Sequence, residues 1–489
     1  MSTSSSARSS ELRTPARALG IGLVYWADLE PLMRPGGAAI SVVELEPQSM
    51  WELVTGPEGW RYRGNEGLLD RVAALPQRKL LHGVGHPLGG TARDPIDPLP
   101  LLRHAVDRLD PAWISEHLSF NRSSRAGRTE NAGFLLPPPQ SPAAVRVAAH
   151  NIAGFRRDLD RPVAFETGVN YLRQRDDDMP DGEFFAAVAR AADSGILLDL
   201  HNLWCNERNG RQSVADALAQ LPLERVWEIH LAGGMQESGF WLDAHSGAVP
   251  PEVMAIAAEL IPRLPHLGAL VFEVLPEHLH RIGLDGVHRQ IEQLQPLWAL
   301  RPSGEVHVAA PTRTLDVDEP TKPDWAEVAR WESVLVDALR TRPTAGVPAS
   351  DLCADPGCAL LGELVAEFRR ASLVRALRYT MTCLLAGLGT RGTHELLASY
   401  FEGRPPEPFA AVEADGFASF LHGQVPRLGI ALLAEVLAFE HALVRATIHG
   451  LSTDVAWSVD PTTLFESLDA GRLPPALPGV SSQMRVCAR

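Results

Sequence analysis

Eight short runs of apolar and β-branched residues punctuate the first 300 positions: LGIGLVYW, AISVVELE, RKLLHGVG, AWISEHLSF, PVAFETG, GILLDLHN, RVWEIHLAG and GALVFEVL. Such runs read as strands buried on both faces. Between them lie NEGLLDRVAALP, PLLRHAVDRLD, AVRVAAHNIAGFRRDL, GEFFAAVARAADS and PEVMAIAAELIPRL, whose apolar positions recur at helical spacing. The alternation predicts an α/β chain with a (β/α)8 TIM barrel over residues 18–305. An open doubly wound sheet would carry a glycine-rich phosphate loop after its first strand, and none is there.

The pattern changes after residue 300. RPSGEVHVAAPTRTLDVDEPTKPD lacks periodicity and is rich in Pro and charge, so residues 306–325 read as a linker. From residue 326 to 489 the apolar spacing is helical, as in DWAEVARWESVLVDALR and GIALLAEVLAFEHALVRATIHG, and predicts a mainly helical C-terminal domain with few strands. The opening MSTSSSARSSELRTPARA has no apolar core segment; residues 1–17 read as a disordered tail and not a secretory signal.

Composition narrows the partners. Forty-five Lys plus Arg against 60 Asp plus Glu leave a formal charge of −15, which repels phosphate backbones and anionic membranes. No segment is apolar enough to span a bilayer. The five cysteines, Cys205, Cys353, Cys358, Cys383 and Cys487, are scattered and form neither a disulfide framework nor a zinc signature, which fits a reducing cytoplasm.

Candidate chemistry collects at the ends of the expected strands, where barrel active sites form. His82 closes the third run, Glu116 and His117 the fourth, Glu166 the fifth; Asp199 and His201 end the sixth, two apart and so on one side, with Asn202 just beyond. His230 ends the seventh, Asp243 and His245 follow in LDAHS, and Glu273 ends the eighth. Four histidines (His82, His117, His230 and His245) and four carboxylates (Glu166, Asp199, Asp243 and Glu273) converging on one mouth, with His201 and Asn202 beside them, would be costly without cations, and exceed what one metal needs. A cluster of two or three metals is the economical answer.

HGVGHPLG, ISEHLSF, FETGVNYL, LLDLHNLW, EIHLAGG and LDAHSGAVP, in this order, resemble the multinuclear non-heme iron-dependent oxidative enzymes that include the methanobactin-forming oxidase. The resemblance covers roughly residues 18–300. It implies two or three irons, Fe(II)/Fe(III), with dioxygen as co-substrate and no organic cofactor. The implied substrate is a cysteine-containing, ribosomally synthesised precursor peptide. Residue by residue it makes His82, His117, Glu166, Asp199, His230, Asp243, His245 and Glu273 iron ligands, with Glu166 bridging. His201 and Asn202 stand where the family commonly has Asn-Asn and are kept as ligands; Glu166, Asp199 and His245 are the catalytic candidates. His86 and Gln48 depart from the family pattern, and the second strand, with Glu44, is given no role. Cys205 reads as a small buried hydrophobe. The helical region resembles the separate partner proteins of these enzymes, here fused in cis, and Glu440 and His441 within it read as a helix–helix polar contact. Two other classes fit a His- and carboxylate-rich barrel: a divalent-metal sugar isomerase or epimerase, and a non-catalytic metal-binding interaction protein.

Overall fold

A computed structural model describes residues 18–125, 127–302, 323–340, 352–474 and 477–488. The expected tail, and the expected linker up to residue 322, lie outside the described residues.

All eight apolar runs are strands: β1 Gly20–Val24, β2 Val42–Leu45, β3 Arg78–Gly83, β4 Ile114–His117, β5 Val163–Glu166, β6 Gly195–Asp199, β7 Val226–Ala232 and β8 Ala269–Glu273. They close into a parallel barrel in the order β1-β8-β7-β6-β5-β4-β3-β2. The chain therefore has the TIM-barrel fold. Helices return the chain between strands, among them Leu99–Leu109, Pro142–Leu159 and Asp181–Ala192. Those three end on Asp110, Asp160 and Asp193, each left-handed with φ of 48°, 49° and 48°. Aspartate tolerates that conformation better than most side chains, and it stops each helix two to four residues before the next strand.

Alternation along the strands sorts the interior into layers. Val42, Leu80, Trp113, Ala164, Leu197, Ala269 and Val271 form one apolar floor inside the barrel. Two residues further along the same strands stand Glu44, His82, Glu166, Asp199 and Glu273, all buried. On β7 the pairing with β6 slips, so that Ile196 faces Val226 and Leu197 faces Glu228. Trp227, the extra residue, joins the floor, and Gly195 makes room for it: a Cβ there would lie 2.2 Å from the indole ring. The bulge keeps Glu228 and His230 turned inward as well.

Three hairpins follow β2, β4 and β7 at the strand-end face: Trp51–Gly56 with Gly59–Gly64, Phe120–Arg125 with Arg128–Leu136, and Met235–Glu237 with Phe240–Leu242. The C-terminal region is mainly helical, with Trp325–Arg340, Pro356–Ala376, Arg378–Phe401, Ala410–His422 and Leu433–His449. It adds a two-stranded antiparallel sheet, Thr453–Val459 against Gly479–Val486. Most of its core is its own, built on Leu373, Leu384, Phe417, Leu437 and Trp457. A second cluster joins Leu335, Val336, Leu360 and Leu361 of its first helices to Phe120, Leu136, Tyr171 and Leu242 at the barrel mouth. Glu332 accepts from Thr91 N at 2.7 Å, and Trp331 Nε1 donates to Pro137 O at 3.2 Å. No helix among the described residues is long and apolar enough to cross a membrane.

Candidate metal centre

The sequence-predicted residues meet at the strand ends. His82 Nε2 lies 3.1 Å from His117 Nε2, and Glu166 Oε2 is 3.4 Å from His82 Nε2 and 2.5 Å from His117 Nδ1. His230 stands between two carboxylates, its Nε2 2.9 Å from Glu44 Oε2 and its Nδ1 3.1 Å from Glu273 Oε2. His245 Nε2 is 3.0 Å from Asp243 Oδ1 and 3.4 Å from Glu273 Oε2. His82 Nδ1 is fixed by Ser115 Oγ at 2.9 Å.

Four overlapping groups bring ligand atoms within 4.8 Å of one another: His82, His117 and Glu166; Glu166, Asp199 and His230; Asp199, His245 and Glu273; Glu44, His230 and Glu273. Atoms that share an ion at bond lengths of about 2.1 Å fall within such a span. Glu166, Asp199, His230 and Glu273 each belong to two groups. The buried atoms also fit cations better than one another. Both oxygens of Glu44, Glu166 Oε2, Asp199 Oδ2, both nitrogens of His230 and His245 Nε2 make no hydrogen bond of good geometry, although ion-pair distances separate several of them. Buried polar atoms left unpaired are costly, and a shared cation removes that cost.

Electrostatics agree. Burial, then the charges of Asp243, Glu166 and Glu273, push the Asp199 carboxyl well above its usual range. Burial alone would raise Glu166 too, but the charge and hydrogen bonds of His117 and His82 hold it well below. Burial alone would lower His82, yet its hydrogen bond to Glu166 and the charges of Glu166 and Glu44 lift it to about 10. Without a cation the imidazoles must carry the positive charge that this many carboxylates demand.

Three expectations change. Asp199 and His201 do not share a strand face: β6 ends at Asp199, whose Oδ1 accepts from Asn202 N at 2.7 Å and caps the helix Leu200–Arg208. His201 and Asn202 sit in that helix's first turn. His201 Nδ1 pairs with Asp243 Oδ1 at 3.0 Å, and Gly234 makes way for the ring, since a Cβ there would come within 2.6 Å of Nε2. Asp243 and His201 belong to none of the four groups, and Asn202 Nδ2 donates to Glu166 Oε1 at 3.4 Å. Glu44, given no role from sequence, is in the centre, where its inward position two residues beyond Val42 would have put it. Glu116, on the opposite face of β4, accepts from His86 N at 3.0 Å, and burial lifts it to about 7.

Other flagged residues lie outside the groups. The His86 ring stacks on Phe155, with centroids 5.1 Å apart. Gln48 accepts weakly from Val84 N at 3.4 Å. Cys205 is buried against His201, with Sγ 3.6 Å from Nε2, and burial pushes its thiol far up. Glu440 accepts from Tyr379 N and Thr380 N at 2.8 and 2.6 Å, while His441 turns to Asp415 and His422. His245 holds φ at 45°, left-handed backbone that is uncommon for a residue other than glycine.

Fold and site thus define a TIM barrel with a buried cluster of potential metal ligands at its strand ends. Residues 61–274 match the family described as RiPP precursor modification enzyme MbnB/TglH/ChrH, and the chain belongs to that family. It is 39% identical to a UPF0276 protein of Chromobacterium violaceum over 38% of this chain and 65% of that one, and 37% identical to one of Anaeromyxobacter sp. over 39% and 66%. A third, from Acaryochloris marina, is 31% identical over 39% of this chain and 68% of its own length. The match thus spans just under two thirds of the length of the first two relatives. Among solved structures, the chain is similar to D-psicose 3-epimerase from Clostridium cellulolyticum H10, with a TM-score of 0.39 and 10% identity over 58% of this chain and 99% of that one.

Proposed function

We propose that this chain is an enzyme that oxidatively modifies cysteine residues of a ribosomally synthesised precursor peptide, using two or three irons and dioxygen, in the cytoplasm. The observation that carries the reading is the overlap of the ligand groups, in which Glu166 and Asp199 each belong to two. One ion would leave several of those buried atoms unpaired. When bound, iron supplies Lewis acidity and one-electron redox chemistry toward a thiolate and dioxygen.

The chain's own residues do the rest. Glu166 and Asp199 are the carboxylates placed to hold neighbouring cations together, and His82, His117, His230, His245, Glu44 and Glu273 complete the set. Asp243 orients His201 and His245 from one oxygen. His117 and His245, each about a fifth exposed, are the most accessible histidines of the set, where the substrate residue would arrive. Asn202 steadies Glu166. The helical region, packed on the mouth through Trp331 and Glu332, would dock the precursor in cis and raise the local concentration of its reactive end, typically to the millimolar range for a short flexible tether. Cys205, Cys358, Cys383 and Cys487 are free thiols, which suits a reducing compartment.

The test is metal analysis of anaerobically purified full-length chain, followed by incubation with a cysteine-bearing precursor and with its serine counterpart. The expected result is more than one iron per chain and a dioxygen-dependent mass change at cysteine only. Full activity with one metal ion, with zinc alone or without dioxygen would overturn the reading and favour the metal-dependent epimerase class.

A further inference from the structure

A cavity of about 110 Å³ opens beside the centre, between the Phe120–Leu136 hairpin and the loop after β5. Its lining includes His117, Asn202 and Asp243, while Phe134, Pro138, Val169 and Phe185 give it apolar walls. The volume equals three to four waters at roughly 30 Å³ each. Pockets for whole small molecules run to about 300–1,000 Å³, so this one is of a size for a single side chain.

Two details point to an occupant. Ser119 lines the cavity at 8% exposure, and its Oγ has no hydrogen-bond partner. A buried hydroxyl left unpaired in the protein alone is one that a ligand can satisfy. Gly168 lines it too, and there a Cβ would meet nothing within 4 Å. Its backbone is not left-handed, so neither strain nor crowding demands glycine. What glycine preserves at this position is open space. The wall opposite is braced from behind: Trp331 holds Pro137 O, and Gly133 packs so tightly on Pro406 and Val365 that a Cβ would lie 2.6 Å from the Pro406 ring.

We propose that this cavity is a specificity subsite that takes the aliphatic side chain of the residue adjacent to the cysteine being modified, with Ser119 hydrogen-bonding the substrate backbone. The proposal rests on the peptide-cysteine reading above and names the substrate feature that reading leaves open. A charged neighbour would be desolvated against Phe134 and Phe185 and rejected.

The experiment uses full-length protein loaded anaerobically with ferrous iron, and two series of synthetic hexapeptides, Gly-Gly-X-Cys-Gly-Gly and Gly-Gly-Cys-X-Gly-Gly, with X as Gly, Leu, Asp or Trp. Affinities are read by calorimetry without dioxygen. In one series Leu should bind about tenfold more tightly than Gly, with no gain for Asp. Gly168→Leu should erase that preference while iron content stays unchanged. Phe134→Ala, which enlarges the cavity and does not depend on Gly168→Leu folding well, should move the preference from Leu toward Trp. Equal binding of Leu and Gly peptides in both series, or a Leu preference that survives Gly168→Leu, overturns the subsite. Repeating both series with Ser for Cys separates the two claims. A Leu preference that is indifferent to the thiol supports the subsite and counts against the cysteine reading. Thiol dependence without a Leu preference does the reverse.

Discussion

Two of the buried charged clusters in the barrel differ in what they leave over. In one, Arg211 Nε and Nη2 donate to Asp181, Nη2 also to Gln140 Oε1 and Nη1 to Leu172 O, while Gln140 Nε2 returns to Asp181. The Arg211 and Asp181 side chains are each 2% exposed, and every donor nitrogen of Arg211 has an acceptor. In the other, at the strand ends, Glu44, Glu166, Asp199, His230 and His245 crowd together with atoms that pair with nothing at good geometry. Burial is common to both. Closure of the hydrogen-bond network is what separates a cluster that braces the fold from one built around something else. Arg369 and Glu413 in the helical region are closed in the same way as Arg211 and Asp181, with Glu413 also accepting from Glu407 N.

The strongest way to break the comparison is Glu166→Gln. The substitution keeps the shape and removes the charge that two cations would share, so the loaded protein should lose at least one iron per chain and at least about 100-fold in activity. The metal-free protein should stay folded but unfold at a somewhat lower urea concentration than the wild type, because His82 and His117 lose the carboxylate charge that they face. Metal analysis and urea titration read the two effects separately. Full iron content in this variant would end the bridging assignment.

Arg211→Met is the converse. It leaves Asp181 buried without its cation, a change that costs about 3–5 kcal/mol in comparable buried pairs. The urea midpoint should fall sharply, while iron per folded chain stays at the wild-type value. Loss of iron on a par with Glu166→Gln would mean that closure does not separate the two clusters.

How much of this was legible in the sequence follows from the same physics. The strands were, because a parallel sheet covered on both faces needs continuous apolar runs, and a polar residue at the end of such a run stands out. Glu44 was passed over because its strand was judged by Gln48, four residues on, when the inward parity it shares with Val42 was the better guide. His201 shows where that parity stops: Asp199 ends the strand by capping a helix, so the two-residue spacing no longer implies a shared face. The mouth hairpin was hidden by FNRSSRAGRTE, whose Arg, Ser and Gly read as loop although the backbone pairs. The cavity behind it needs three segments distant in sequence, and nothing local announces it. TDVAWSV alternates buried and exposed positions from Asp454 to Val459, whereas its partner strand GVSSQMRV is largely exposed and polar and carries no such signal.

Glu332 is the intermediate case and sharpens the comparison most finely. It is fully buried and accepts two bonds from Thr91, N at 2.7 Å and Oγ1 at 2.5 Å, but no salt bridge joins it among the described residues. Burial outweighs those bonds and the charge of Arg93, and lifts its carboxyl to about 7. The sign follows from linkage. An acid whose folded pKa lies above its unfolded value favours folding while it is protonated, so that contribution is complete below about pH 4.5 and is lost as pH rises through about 7. Glu332→Gln keeps an acceptor for Thr91 and removes the titration. The wild type should therefore lose up to roughly 3 kcal/mol relative to the variant between pH 4.5 and 8, read from paired urea titrations. The loss belongs to the contact between the helix Trp325–Arg340 and the loop after β3, so hydrogen exchange at Thr91 N–H should quicken over the same pH range in the wild type alone. A stability difference that stays constant across that range would place Glu332 with the closed clusters.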